Sequence, residues 1–176
     1  MSYYFFAATL PVLDLDSPPP MAVKEFLQSC RRHLTAADAE AAEAALTPAA
    51  AARCAHPTVR AWHDRETQWR NAIVRQRALR AKRDAGPFLR AQAGGDAAID
   101  AAVAAAFNAA SPLEREKALD RVLWKQAEEL AGWDPFSATA VIVYGVRLRM
   151  AARWAGLIAA AGESRAQAIV GAAPGA

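Results

Sequence analysis

The sequence predicts a mainly α protein: an antiparallel bundle of long helices carrying a short extended aromatic segment at its N-terminus. Three observations predict it. Apolar residues recur at three- and four-residue spacing, as at Val23, Phe26, Leu27, Cys30 and Leu34, which form one stripe on a helix. The run Ser111-Pro112-Leu113-Glu114 is a helix start, with a capping hydroxyl, a proline at the first helical position and a glutamate at the third. Helical stretches of twenty-odd residues are joined by short turns, which sets neighbours roughly antiparallel. A chain of 176 residues suits one domain, and it can bury a core without metal or disulfide.

In chain order, Tyr3, Tyr4, Phe5 and Phe6 crowd aromatics ahead of Leu10-Pro11, a composition that favours a strand or extended segment. The following PVLDLDSPPP reads as an extended connector, so residues 1–20 form the N-terminal segment of a single helical domain spanning residues 1–162. The first helical part, residues 21–83, opens with a helix over MAVKEFLQSCRRHL. Thr35 then caps an Ala- and Glu-rich helix to about Leu46, with Asp38 at its third position. Thr47-Pro48 starts a weaker helical stretch that His56-Pro57 breaks. Thr58 is placed to cap a long basic helix over residues 59–83, with Gly86-Pro87 as its first serious breaker.

The second helical part, residues 97–161, begins after Gly94-Gly95-Asp96 with AAIDAAVAAAF. Its second helix starts at Ser111, runs to about Ala131, and turns Leu119, Val122, Leu123, Ala127 and Leu130 to a core. Asp134-Pro135 or Ser137 starts the last helix, through Ala161, apolar at Val141, Tyr144, Leu148, Ala151, Trp154 and Ile158. Residues 163–176 read as a frayed tail.

Composition narrows the function. The net charge is +3 and 54% of residues are apolar, much of that alanine, which favours helix but adds little buried area. Two cysteines do not suggest a secreted disulfide scaffold, and a reducing cytoplasm is expected. Cys30, His33, Cys54 and His56 could be imagined as zinc ligands, but C-x2-H and C-x-H are not the usual paired knuckles, so buried thiols and solvated histidines are expected instead. The N-terminus has no positive charge before its apolar run, and no export is expected. The charge-free run from Phe136 to Val146 is about half the ~20 residues a membrane-spanning helix needs.

No phosphate-binding glycine loop, G-x-S-x-G or H-E-x-x-H is present. His63 lies near Asp64 and Glu66, but adjacent helical positions point apart, so it reads as a surface histidine. Glu114, Glu116, Asp120, Glu128 and Glu129 read as a solvated acidic face. Neither catalytic residues, nor a cofactor, nor a metal is expected.

The basic helix is the most informative stretch. From Arg60 to Arg83 there are eight basic residues and two acids. Arginines five apart advance about 140° per step around the helix and give no single basic stripe. Trp62, Trp69 and Ile73 recur at helical spacing and read as a seam, with Glu66 and Gln76 at its other positions. Trp62, Trp69, Trp124, Tyr144 and Trp154 are the expected core aromatics. Arg70, Arg75, Arg77, Arg80, Lys82 and Arg83 are the candidate partner-binding residues, largely solvated. They suit an acidic protein surface better than a nucleic acid, which would want charge on one face and aromatics free to stack.

The opening YYFFAATLPVLDLDSPPPMAVKEFLQSC, the W-x6-W-R-N of Trp62 to Asn71, the block SPLEREKALDRVLW and the helix from Tyr144 to Trp154 resemble the bacterial domain-of-unknown-function family 2764. Members are associated with gene clusters for V/A-type rotary ATPases, where they stand in place of the d-type stalk subunit. The resemblance implies an all-helical, non-catalytic component of a proton- or sodium-translocating ATPase, held in the cytoplasm and peripheral to the inner membrane. Its partners would be other ATPase subunits, and its role a connector between rotor stalk and membrane ring, or an assembly or regulatory factor. The alternative is a nucleic-acid-binding helical adaptor using residues 59–83.

Overall fold

The structure, a computed structural model, describes residues 2–157. Among them are eight α-helices and a 3-10 turn at Gly86–Phe88: α1 (Tyr4–Thr9), α2 (Val23–His33), α3 (Ala36–Ala44), α4 (Pro48–Ala51), α5 (Pro57–Ala81), α6 (Ala97–Ala106), α7 (Pro112–Ala131) and α8 (Ala138–Ala155). The mainly helical bundle is as expected. The last helix stops at Ala155 with Gly156 as its cap, short of the expected Ala161; Ile158 and the residues after it lie outside the described residues.

The start signals work as their chemistry dictates. The Ser111 hydroxyl accepts the Glu114 amide at 3.1 Å, and the Glu114 carboxylate accepts the Ser111 amide at 3.1 Å, so two otherwise unpaired amides are satisfied reciprocally. Thr35 accepts the Asp38 amide at 3.2 Å, and Ser137 the Ala140 amide at 3.1 Å. Thr58 is not the cap expected of it. Pro57, with its fixed φ and no amide hydrogen, takes the first helical position, so the cap falls at His56 and Thr58 lies inside the helix. Its buried hydroxyl meets that of Thr139 on α8 at 2.9 Å. At the other end α5 stops before Gly86-Pro87, because Lys82 turns left-handed at φ 51°.

The aromatic start is helical rather than extended over Tyr4–Thr9. Helical spacing lets Tyr3 and Phe6 enter the core together, and only the connector after Leu10 keeps an extended path. There Leu13 and Leu15 point inward while Val12, Asp14 and Asp16 point out. Asp16 ties this strap to α7 through Arg121 at 3.0 Å and Lys117 at 3.7 Å.

Helix directions can be read from side-chain pairs. Arg147 meets Glu128 and Arg153 meets Asp120, so α7 and α8 are antiparallel; Arg65 to Gln126 and Trp69 to Leu119 make α5 and α7 antiparallel too. The pair α5 and α6 departs from the expected short-turn pattern. Gln68 bonds Asp96, Arg75 bonds Asp100 and Arg80 bonds Phe107, which makes the two helices parallel. Residues 82–96 run back along α5 to permit this, held by buried amide side chains. Asn71 accepts the Arg90 amide at 2.9 Å and donates to the Arg90 carbonyl at 2.8 Å; Gln68 does the same for Asp96 at 3.0 and 2.7 Å. The returning segment in turn satisfies the buried Asn71 and Gln68 amides, which would otherwise lose their hydrogen bonds.

The core has two parts. The larger gathers Tyr3, Phe6, Phe26, Cys30, Val59, Trp62, Leu123, Trp124 and the buried face of α8, while the smaller joins Ala72, Ile73, Ile99, Val103, Phe107 and Leu119. Half-buried Trp69 packs against both and donates its Nε1–H to the Leu119 carbonyl at 3.0 Å. Of the expected core aromatics, Trp62 and Trp124 are buried, whereas Trp69, Tyr144 and Trp154 are half-buried at its margin.

Candidate partner-binding surfaces

The six candidate cations of α5 divide into two groups. Arg70 reaches back one turn to buried Glu66 at 3.0 Å, a carboxylate that also lies 3.6 Å from Arg149 of α8. Arg75 pairs with Asp100 at 3.2 Å. Arg80 donates to the Phe107 carbonyl and lies with its guanidinium 5.0 Å from the centre of the Phe107 ring. Arg75 and Arg80 therefore bind α5 to α6, while Arg70 is held within α5 on a carboxylate shared with α8. Arg77, Lys82 and Arg83 are exposed, and among the described residues none of them has an ion pair or hydrogen-bonded side chain. Sequence periodicity could not sort them, since their partners stand 25 and 27 residues away from Arg75 and Arg80.

A second surface lies where α1 meets the turn between α7 and α8. The Tyr3 amide bonds the Phe136 carbonyl at 2.6 Å, Ser2 pairs with Ser137, and the Tyr4 ring stacks on Phe136 with centroids 3.8 Å apart. With Tyr3 and Phe6 facing inward, Phe5 is left 92% exposed, and Trp133 in the same turn is fully exposed. Aromatic side chains standing free in water are a common mark of an interface.

Acidic residues expected to be solvated are partly structural. Asp120 is buried and accepts Trp154 Nε1–H at 2.7 Å as well as Arg153. Glu128 accepts Trp124 Nε1–H at 2.9 Å and Arg147 at 2.9 Å, with the Arg147 guanidinium 4.4 Å from the centre of the Trp124 ring. These carboxylates staple α7 to α8; their partners lie on another helix or on aromatic N–H groups, which a charge count along one helix does not register.

The histidines and cysteines do not converge. Cys30 is fully buried, and burial pushes its thiol pKa up to about 12, so it stays protonated. His33 stacks on Phe6, and His56 Nε2 lies 3.1 Å from Asp38. Among the described residues no group of three or more His, Cys, Asp or Glu side chains is placed to hold a metal. His63 is half-buried beside a shallow cavity of about 380 Å³ that Arg53, Cys54, Arg60 and Asp64 also line.

Asp38 ties three segments together. It accepts the Tyr3 hydroxyl, the Thr35 hydroxyl at 2.9 Å and His56 at 3.1 Å. Burial alone would raise its pKa, but hydrogen bonds from Tyr3, Thr35 and His56 outweigh burial and hold it below the usual carboxylate value. A carboxyl group whose pKa is depressed on folding stabilises the fold above its unfolded pKa, and that contribution is lost as pH falls through the folded one. Urea midpoints measured downward from about pH 5 should therefore fall less steeply with acid in Asp38→Asn than in the wild type.

No helix among the described residues is long and apolar enough to cross a membrane. Neither protein families, nor curated proteins, nor solved structures yield a match to this chain.

Proposed function

We propose that this chain is a non-catalytic helical component or accessory factor of a V/A-type rotary ATPase that acts by protein–protein contact. The observation that carries the reading is the exposed aromatic end. The stretch YYFFAATLP, part of the sequence resemblance to family 2764, commits Tyr3 and Phe6 to the core and leaves Phe5 outside beside the turn that exposes Trp133. Burying a side chain of this kind on a partner is worth roughly 1.5–3 kcal/mol, so an aromatic pair can anchor a specific contact. The nucleic-acid reading is weaker, because Arg70, Arg75 and Arg80 are engaged within the chain and the α5 tryptophans pack inward.

The test is affinity purification of the tagged full chain from native-host membranes, at low and at moderate salt. ATPase subunits should be recovered at both, since an apolar anchor is little screened. Their absence, together with salt-sensitive binding to random oligonucleotides, would favour the adaptor reading instead.

A further inference from the structure

Two cavities of about 280 Å³ each lie along the C-terminal half of α5 and share Val74, Arg77 and Phe88. They form one groove from Trp69 to Ala81, roughly 18 Å along the helix axis, closed on one side by the returning segment at Asp84, Phe88 and Arg90. Its outer floor is apolar, built from Val74, Ala78, Ala81 and the Phe88 ring, and both Phe88 and nearby Leu79 are exposed.

The rim is basic. Arg77, Arg83 and Arg90 line it, and their side chains make no ion pair among the described residues; Lys82 stands next in the chain, turned outward by its left-handed backbone. Two acids also face the groove. Asp84 is partly occupied by the Gly86 amide at 3.0 Å, and Glu116 lies at the far end from Arg83.

We infer that this groove binds an acidic amphipathic segment of a partner protein, its apolar side chains on Val74, Ala78, Ala81 and Phe88 and its carboxylates against Arg77, Arg83 and Arg90. This rests on the reading of the chain as a docking component and names the chemistry of one partner. Charge complementarity selects the occupant: an apolar floor bordered by cations without internal partners fits a helix of about three turns with apolar residues at three- and four-residue spacing and acidic residues flanking them. A flat bilayer would meet the exposed Leu79 and Phe88 but not the half-buried Val74 and Ala78 between them. A nucleic acid would find a single exposed ring, Phe88, on which to stack.

The experiment places a photo-cross-linking amino acid at Ala81, an exposed groove position, in the full chain in its native host, with Gln28 on α2 as the control position. Cross-linked products are digested and the attached segment is sequenced. The expected product is one predominant protein segment with apolar residues at helical spacing flanked by Asp and Glu, reduced on the order of tenfold by Arg77→Glu with Arg83→Glu, a change equivalent to about 1.4 kcal/mol. The milder pair Arg77→Gln and Arg83→Gln should lower it in the same direction if the reversal impairs folding. Attachment to nucleic acid, to lipid or to a basic segment, a spread matching that from Gln28, or a yield indifferent to both pairs would overturn the inference. Whether the captured protein is an ATPase subunit tests the preceding proposal; the composition of the captured segment tests this one.

Discussion

Trp62→Ala should lower the unfolding free energy by about 3–5 kcal/mol, the usual range for removing a large buried aromatic. Trp62 is 0% exposed and belongs to the larger core, inside which α5 meets α3, α7 and α8. Its Nε1–H is buried without a hydrogen-bond partner, so little polar stabilisation is lost with the ring, and the loss is one of packing. Trp62→Phe should for that reason retain more than half of the stability that Trp62→Ala removes. Urea denaturation followed by circular dichroism reads both. A loss under about 1 kcal/mol in Trp62→Ala would mean that this seam does not hold the bundle together.

The second large effect is expected at a position with no side chain. A Cβ built on Gly145 of α8 would lie 2.5 Å from Cε1 of Phe26, a ring that is itself fully buried and packed between Phe6 and Tyr144. Either the ring or the α8 backbone must shift, so Gly145→Ala should destabilise by about 1–3 kcal/mol despite alanine's better helix propensity. Phe26→Leu in the same chain should recover part of that loss, giving a coupling energy that adding the two single effects would miss. Simple additivity, or a stabilised Gly145→Ala, would contradict the close approach of α2 and α8.

Much of the fold is legible in the sequence because helix starts and apolar stripes are local signals. The reciprocal cap at Ser111, the Thr35 cap and the α2 stripe each depend on residues within one or two turns, and the structure carries all three. The features that depart from expectation depend on distant partners. Tyr4–Thr9 is helical because Tyr3 and Phe6 must enter one core together, a tertiary demand that overrides the strand preference of aromatics. The parallel setting of α5 and α6 rests on Gln68 and Asn71 holding a segment about twenty residues or more ahead, and no spacing rule announces that. The arginines of α5 look alike in sequence. What separates them is whether Glu66, Asp100 or the Phe107 carbonyl stands opposite.

The structural role of Gln68 and Asn71 has one signal in the sequence: polar amides set beside Trp69 on a helix otherwise made of seam and charge. That signal is too faint to name their partners. The candidate surfaces are legible in part. Aromatic crowding near the N-terminus marks the segment that carries Phe5, but which ring faces water follows from the helical turn that the segment adopts, and Trp133 carries no periodic signal because it sits in a turn.

The most direct measurement of the central claim compares wild type with Phe5→Ser plus Trp133→Ser in two readouts from one preparation: the thermal melt of the isolated chain and the recovery of ATPase subunits from native membranes. Both side chains are exposed, so the melting temperature should stay within a few degrees. Recovery should fall at least tenfold, equivalent to about 1.4 kcal/mol, less than the burial of either ring alone is able to supply. Unchanged recovery with an unchanged melt would contradict the account, because the exposed aromatic end would then have no part in holding the partner.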